Sequence, residues 1–417
     1  MSTGTLRLHR WLDPPLVGAA LVMAAAGFAQ YSPTAALADV ADHFGTLSDG
    51  ESIAEQAGLP GTVLGGGLAT IRLAALAALP LAALADRYGR RPTLLAWSSL
   101  GLLVATAAAA SPGYWWFVAA FALARPLLTA ADTVAEVVAA EHTPASDRAK
   151  AMAFMAAAYG VGAGAVAVLR AVANSALGFR ALFALSALPL GLVWLAGRRV
   201  TEPSRFEREP VAGRPALGVV PDTYRGRLAV LAVLAFATGL VTGPVNTFLF
   251  VYGENVLDAS SAVTGSLVVA AGPVGLAGLV LGRLLADRLG RRPAGAAALV
   301  GMCGAGALAY SGTIGGLAAG YLLGVLAGST YSTPALTLTN ELFPTAARAS
   351  VAGWLVVAGV LGSTSGLLLV GAIADATGSF GRATLAVVVP TALCAPLVAR
   401  LPETRGLELE ESAAAPT

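Results

Sequence analysis

The residues best suited to chemistry are three ionisable side chains in one apolar run, where Arg125 is followed by Asp132 and Glu136 at seven and eleven residues. At about 100° per residue the three fall within roughly 40° of one another, on one stripe of a helix. Facing hydrocarbon, such a stripe is costly, so it is expected against a central cavity. Two readings are open for it. In one, the arginine approaches and leaves the carboxylate and so switches its protonation; in the other, Arg125 and Asp132 form a permanent structural bridge. Glu136 lies near the end of the run and fits a latch at the helix end equally well. Arg72 is central in another apolar run and either pairs with Asp132 or Glu136 or attracts an anion. Arg170 and Arg283 sit near the ends of their runs and are expected to snorkel. Gln30, Tyr31, Asn246, Tyr252 and Tyr331 are candidates for a solute-facing wall. Tyr31 near Pro33 and Asn246 near Pro244 could instead satisfy backbone groups close to the prolines.

Other chemistries find little footing. The histidines, His9, His43 and His142, are scattered, and no Ser-His-Asp or metal-ligand spacing occurs, so no enzyme, metal site or cofactor is expected. Cys303 and Cys394 stand in apolar runs without a CxxC and read as buried thiols.

The elements that must hold these side chains are membrane helices. Of 417 residues, 56% are hydrophobic and 12% charged, with a mean hydropathy of +0.73, whereas soluble domains carry about a quarter charged residues. A span needs about 20 mostly apolar residues. Twelve such runs occur, at 14–38, 60–84, 93–110, 114–140, 149–172, 180–198, 226–252, 262–286, 294–311, 314–340, 348–374 and 383–400. Turn formers split two hairpins, at Ser111-Pro112-Gly113 and Ser311-Gly312-Thr313. The first run is long enough to span and lacks the cleavage pattern of a signal peptide. The net charge of +2 is confined to short connections and points to no nucleic-acid partner.

Arginine placement orients the spans. One set of loops holds Arg87, Arg90 and Arg91, then Arg148 and Lys150, then five arginines between Arg199 and Arg225, then Arg288, Arg291 and Arg292, then Arg348 and Arg405. The alternate set holds few basic residues, and Asp39 to Leu59 carries five acidic residues with no Lys or Arg. Both termini and the middle loop are therefore expected in the cytoplasm. The expected organisation is a cytoplasmic N-terminus at 1–13, a six-helix bundle at 14–198, a central loop at 199–225, a second bundle at 226–400 and a cytoplasmic tail at 401–417.

The halves repeat. Asp86-Arg87-Tyr88-Gly89-Arg90-Arg91-Pro92 recurs at an offset of 201 as Asp287-Arg288-Leu289-Gly290-Arg291-Arg292-Pro293, with one mismatch. Glu141, Pro144 and Arg148 recur as Glu341, Pro344 and Arg348, and Arg199 with Glu202 recurs as Arg400 with Glu403. Topogenic arginines alone would leave the shared glycine, prolines and carboxylates unexplained.

On these motifs the chain resembles the major facilitator superfamily, whose signature loop is G-x-x-x-D-R-x-G-R-R; Ala82 and Arg283 replace the leading glycine. Glu-x-x-Pro-x-x-x-Arg, Glu202-Pro203-Ser204-Arg205 and Pro402-Glu403-Thr404-Arg405-Gly406 look like the sugar-porter and metabolite:proton symporter branches. The resemblance implies an all-α fold of twelve transmembrane helices in two pseudo-symmetric six-helix bundles, moving a small solute by alternating access. It implies a gate in which Asp86, Arg90, Glu141 and Arg148 latch one half and Asp287, Arg291, Glu341 and Arg348 the other, beside Arg87, Arg91, Arg288 and Arg292. It further implies that Asp132 takes up and releases a proton while Arg125 pairs with it or holds an anionic substrate. Departures bear on the solute. Gln30 stands near the position of a symporter aspartate and cannot titrate, which puts proton coupling through the first helix in doubt and suits a uniporter. The Gln-Gln and Gly-Pro-x-x-Trp motifs of sugar porters are absent, and the stretch Tyr159 to Gly164 lacks the proline of drug antiporters. The expectation is a monomer in the cell membrane that couples a small polar metabolite, preferably an organic anion, to protons; the alternatives are a drug or secondary-metabolite exporter, a uniporter or a solute sensor.

Overall fold

Apolar runs of this length become helices because a bilayer offers no partner for backbone polar groups, which must be satisfied within the helix. The computed structural model of the chain describes residues 13–46, 52–144, 147–173, 178–202, 217, 218 and 220–404. The spans are α1 (Pro14–Ala35), α4 (Gly61–Tyr88), α5 (Arg90–Ala110), α6 (Tyr114–His142), α7 (Arg148–Ala173), α8 (Phe179–Gly197), α9 (Arg225–Thr247), α10 (Ser261–Leu289), α11 (Arg291–Ala309), α12 (Ile314–Glu341), α13 (Thr345–Thr377) and α14 (Phe380–Leu393). Two short helices, α2 (Leu37–Phe44) and α3 (Ile53–Ala57), lie between α1 and α4. Of the twelve spans all but α11 are long and apolar enough to cross a bilayer by length and composition, α14 together with the 3₁₀ segment Ala395–Arg400 that continues it. Helix α11 opens on two arginines and is largely alanine and glycine, which dilutes its hydropathy.

The helix ends follow local chemistry. Gly312 adopts φ +93° between α11 and α12, and Thr313 caps α12 by accepting from the Gly316 N–H at 3.0 Å. Ser52 and Glu55 form a reciprocal capping box at α3. The hydrogen bonds from Ser52 hold the Glu55 carboxyl below its ordinary range. The seventh span ends at Thr247, short of the expected 252, because a π-helical turn at Val251–Val256 follows it.

The chain divides into two compact units, residues 1–36 with 74–213 and residues 37–73 with 214–417. The division falls in α4 between Leu73 and Ala74, just ahead of a 3₁₀ turn at Ala75–Ala77, so the first half of α4 belongs to the second unit. In the first unit α1 packs closely on α7: a Cβ on Gly27 would stand 2.2 Å from the Tyr159 carbonyl oxygen, and one on Gly162 1.9 Å from that of Ala24. Only glycine permits such an approach. Gly160 and Gly164 on the same helix have nothing within 4 Å of an added Cβ and take no part in this seam. The second unit repeats the device between α9 and α13, where Gly239 meets the Gly359 carbonyl and Gly362 that of Phe236. Leu16, Val22 and Met23 of α1 share a buried core with Leu94 of α5, Val134 and Val138 of α6 and Met155 of α7.

Candidate functional site

In the first unit α6 carries the ionisable stripe, with Arg125 and Asp132 half-buried and Glu136 exposed. Asp132 Oδ2 accepts a hydrogen bond of 2.6 Å from Gln30 Nε2 of α1. Asp132 Oδ1 is sealed from solvent without a hydrogen-bond partner, as is Arg125 Nε. Arg125 acts on Asp132 through its field, and seven residues of helix separate them by about 10 Å along the axis. No ion pair joins the two within 4.0 Å among the described residues, so the permanent bridge is not formed. Gln30, expected to face a solute, is buried and committed to this carboxylate. Tyr31 is half-buried beside it. Arg170 is buried at 4% exposure and does not snorkel.

The second unit carries an open cavity of about 1010 Å³ lined by Arg72, Thr238, Thr242, Asn246, Tyr331 and Ser363 among apolar neighbours. No acidic side chain appears among its described lining residues. Arg72, Asn246 and Tyr331 thus meet on one wall system. Tyr252 does not join them. It is buried against Tyr310 at 4.6 Å between ring centroids and near Phe380, and its hydroxyl accepts from the Gly312 N–H at 2.9 Å. Aromatic burial has drawn it into the turn region. Cys303 is buried and Cys394 only half-buried, both as free thiols.

The repeated loops come next. Gly89 and Gly290 take φ +99° and +106°, a region L side chains avoid. A Cβ at either would also press on a carboxylate, Glu202 at 3.2 Å and Glu403 at 2.8 Å. Those carboxylates cap the next helix: Glu202 accepts from the Arg90 and Arg91 N–H groups at 2.5 and 2.9 Å, and Glu403 from Arg291 and Arg292 at 2.9 and 3.0 Å. Two free N–H donors and the helix dipole make this a site for an anion. Sequence reasoning missed the capping role, although the recurrence of Glu202 as Glu403 was its signal.

Side chains complete the loops unequally. In the first, Arg90 pairs with Asp86 at 2.9 Å and Glu141 at 3.4 Å and donates to the Ala85 carbonyl. In the second, Arg291 reaches Glu341 at 3.5 Å, while Asp287 faces Arg283 at 3.7 Å. The expected Asp287–Arg291 contact is therefore replaced. Arg348 Nε donates to the Phe343 carbonyl at 3.0 Å and closes the end of α12 instead of joining the carboxylates. The Arg148 side chain lies outside the described residues, as do Arg205 and Arg405. Arg91 and Arg292 donate to the Gly197 and Ala399 carbonyls. Arg87 lies over the Tyr88 ring at 5.5 Å, and Arg288 is exposed.

A further carboxylate escaped sequence reading because its partners are more than 300 residues away. At the start of α4, Asp375 of α13 accepts from the Gly61 and Thr62 N–H groups at 2.6 and 2.8 Å. Gly61 and Gly65 there touch the Gly371 and Leu367 carbonyls so closely that no Cβ fits.

Long apolar helices, seamed by glycine in each unit and closed by duplicated glutamate-capped loops, define a multi-pass membrane protein of repeated design. The sequence profile of the Major Facilitator Superfamily matches residues 19–308, and the chain belongs to that family. Family and fold point to membrane transport and not to enzyme catalysis. The profile "Sugar (and other) transporter" matches residues 218–415. The chain is 31% identical over 194 residues to the tetracycline resistance protein, class C, of Escherichia coli, covering 46% of this chain and 48% of that one. It is 30% identical over 151 residues to a putative metabolite transport protein of Haemophilus influenzae, 36% of this chain and 37% of that one. The matched stretches span less than half the length of these relatives. The inward open structure of the xylose transporter XylE from E. coli shares the fold at a TM-score of 0.72 and 19% identity, covering 97% of this chain and 99% of that one.

Proposed function

We propose that the chain is a proton-coupled transporter of a small polar metabolite with anionic character, working by alternating access in the cell membrane with both termini in the cytoplasm. One observation carries the reading. Asp132 presents a carboxylate oxygen sealed in the first unit without a partner, and a bare buried carboxylate is expensive unless a proton can join it. Arg125, on the same helix, can attract the anion or the ionised Asp132 in turn. An anionic solute fits a cavity lined by Arg72, hydroxyls and an amide and lacking acidic groups among its described residues. Asp86, Arg90 and Glu141, with Arg291 and Glu341, act as the cytoplasmic latch, since such charge-assisted contacts hold only while helix ends stay close.

A thermal-shift panel on the purified protein tests the solute class, because a ligand of the folded state raises its stability. Carboxylates should stabilise it more than neutral polyols, and Arg72→Ala should remove that preference; equal shifts for both classes overturn the anion assignment. The tetracycline-resistance relative supports a second reading, an exporter of drugs. Stabilisation by apolar amines and not by carboxylates would favour it.

A further inference from the structure

Among the described residues Gln30 is the side chain that hydrogen-bonds Asp132, and its amide is held at both ends by α6. Nε2 donates to Asp132 Oδ2 at 2.6 Å, and Oε1 lies 3.4 Å from the hydroxyl of Thr129, less than one turn before Asp132. The charged groups acting on Asp132 are Arg125 and Glu136 of its own helix. The core flanking Asp132 on α6, at Ala131, Val134 and Ala135, receives Ala151, Met155, Ala158 and half-buried Tyr159 from α7, Leu94 and Trp97 from α5 and Ala85 from α4, so the titratable groups of the packed elements are Tyr159 of α7 and Tyr31, next to Gln30 on α1. Gln30 is 5% exposed, which leaves no room to turn toward bulk solvent.

An amide differs from both charged alternatives in one respect. It carries a donor and an acceptor on the same carbon, and a half-turn of its last torsion exchanges them. Ionised Asp132 needs a donor, which Nε2 supplies. Protonated Asp132 needs an acceptor for its hydroxyl, which Oε1 supplies after the half-turn. An aspartate or an arginine at this position would satisfy one protonation state and penalise the other. The helix bearing Gln30 is also weakened next to it: Pro33 lies inside α1 and cannot donate to the Ala29 carbonyl, so the turn holding Gln30 lacks one rung.

We propose that Gln30 is a positioning residue that reads the protonation state of Asp132 and passes it to α1, rather than a ligand of the solute. This rests on Asp132 being the proton site. The test needs no solute. Infrared difference spectra of the purified full-length protein in lipid nanodiscs are recorded through a pH titration, and the carboxyl carbonyl stretch lost in Asp132→Asn is assigned to Asp132. In Gln30→Leu that band should persist, move to the position of a carboxyl without a hydrogen bond, and titrate with a midpoint displaced by roughly one unit or more, since a hydrogen bond to a charged group is lost. Thr129→Val, which leaves the Asp132 contact in place, should give a smaller change of the same sense and serves if Gln30→Leu does not fold. A band identical in wild type and both variants overturns the role of Gln30 while leaving the proton site standing. Absence of any Asp132-dependent band at every pH removes the proton site and this role with it.

Discussion

The two copies of the Asp-Arg-x-Gly-Arg-Arg loop share a backbone and differ in their charges. Gly89 and Gly290 have nearly the same positive φ, and Glu202 and Glu403 cap the following helices through the same pair of N–H groups. Around that scaffold, the Arg90 side chain gathers Asp86 and Glu141, whereas the Arg291 side chain pairs with Glu341 and Asp287 has gone to Arg283. The cause is one position. Arg283 stands a turn before Asp287 and competes for it, and its counterpart at the offset of 201 is Ala82, which cannot. A repeated motif thus guarantees the parts fixed by backbone geometry, while the ion pairs depend on what the neighbouring turn supplies.

The largest expected effect breaks this asymmetry directly. Arg90→Ala should cost about 3 kcal/mol of stability, toward the lower limit for a buried pair because Asp86 is partly exposed. Arg291→Ala should cost about 1 kcal/mol. Denaturant unfolding of the purified variants measures both, and equal losses would erase the difference between the halves. Next come the caps: Glu202→Gln and Glu403→Gln should each cost about 1–3 kcal/mol and agree within error, because each deprives two N–H groups of a charged acceptor. A large disparity would show that the backbone scaffold is not shared. Gly89→Ala and Gly290→Ala should each cost about 1–2 kcal/mol from the left-handed backbone. Gly290→Ala should be the worse, since its Cβ meets a carboxylate 0.4 Å closer, at 2.8 against 3.2 Å. The smallest effect is the sharpest. A double-mutant cycle between Asp287 and Arg291 should give a coupling near zero in the wild type and about 0.5 kcal/mol in an Arg283→Ala background.

Much of the fold was legible because apolar runs of span length, turn formers such as Ser111-Pro112-Gly113 and the 201-residue repeat are local or self-referential signals. Periodicity also placed Arg125, Asp132 and Glu136 on one stripe. What it could not supply was the partner across the bundle. Gln30 lies 102 residues from Asp132, and its polarity alone suggested a solute wall. Tyr252 likewise looked available until Tyr310 and Phe380 buried it. The Asp287 switch was half visible, since Arg283 was noted as a departure from the family loop, but which partner Asp287 chooses is a matter of ångströms.

The central claim is that Asp132 carries the proton. Purified protein is sealed in liposomes containing a pH-reporting dye, a solute identified by the thermal-shift panel is added outside, and solute exchange is followed in parallel by isotope. The wild type should move protons with the solute, and Asp132→Asn should keep exchange of the solute while losing the proton signal. Proton movement of undiminished size in Asp132→Asn would contradict the account.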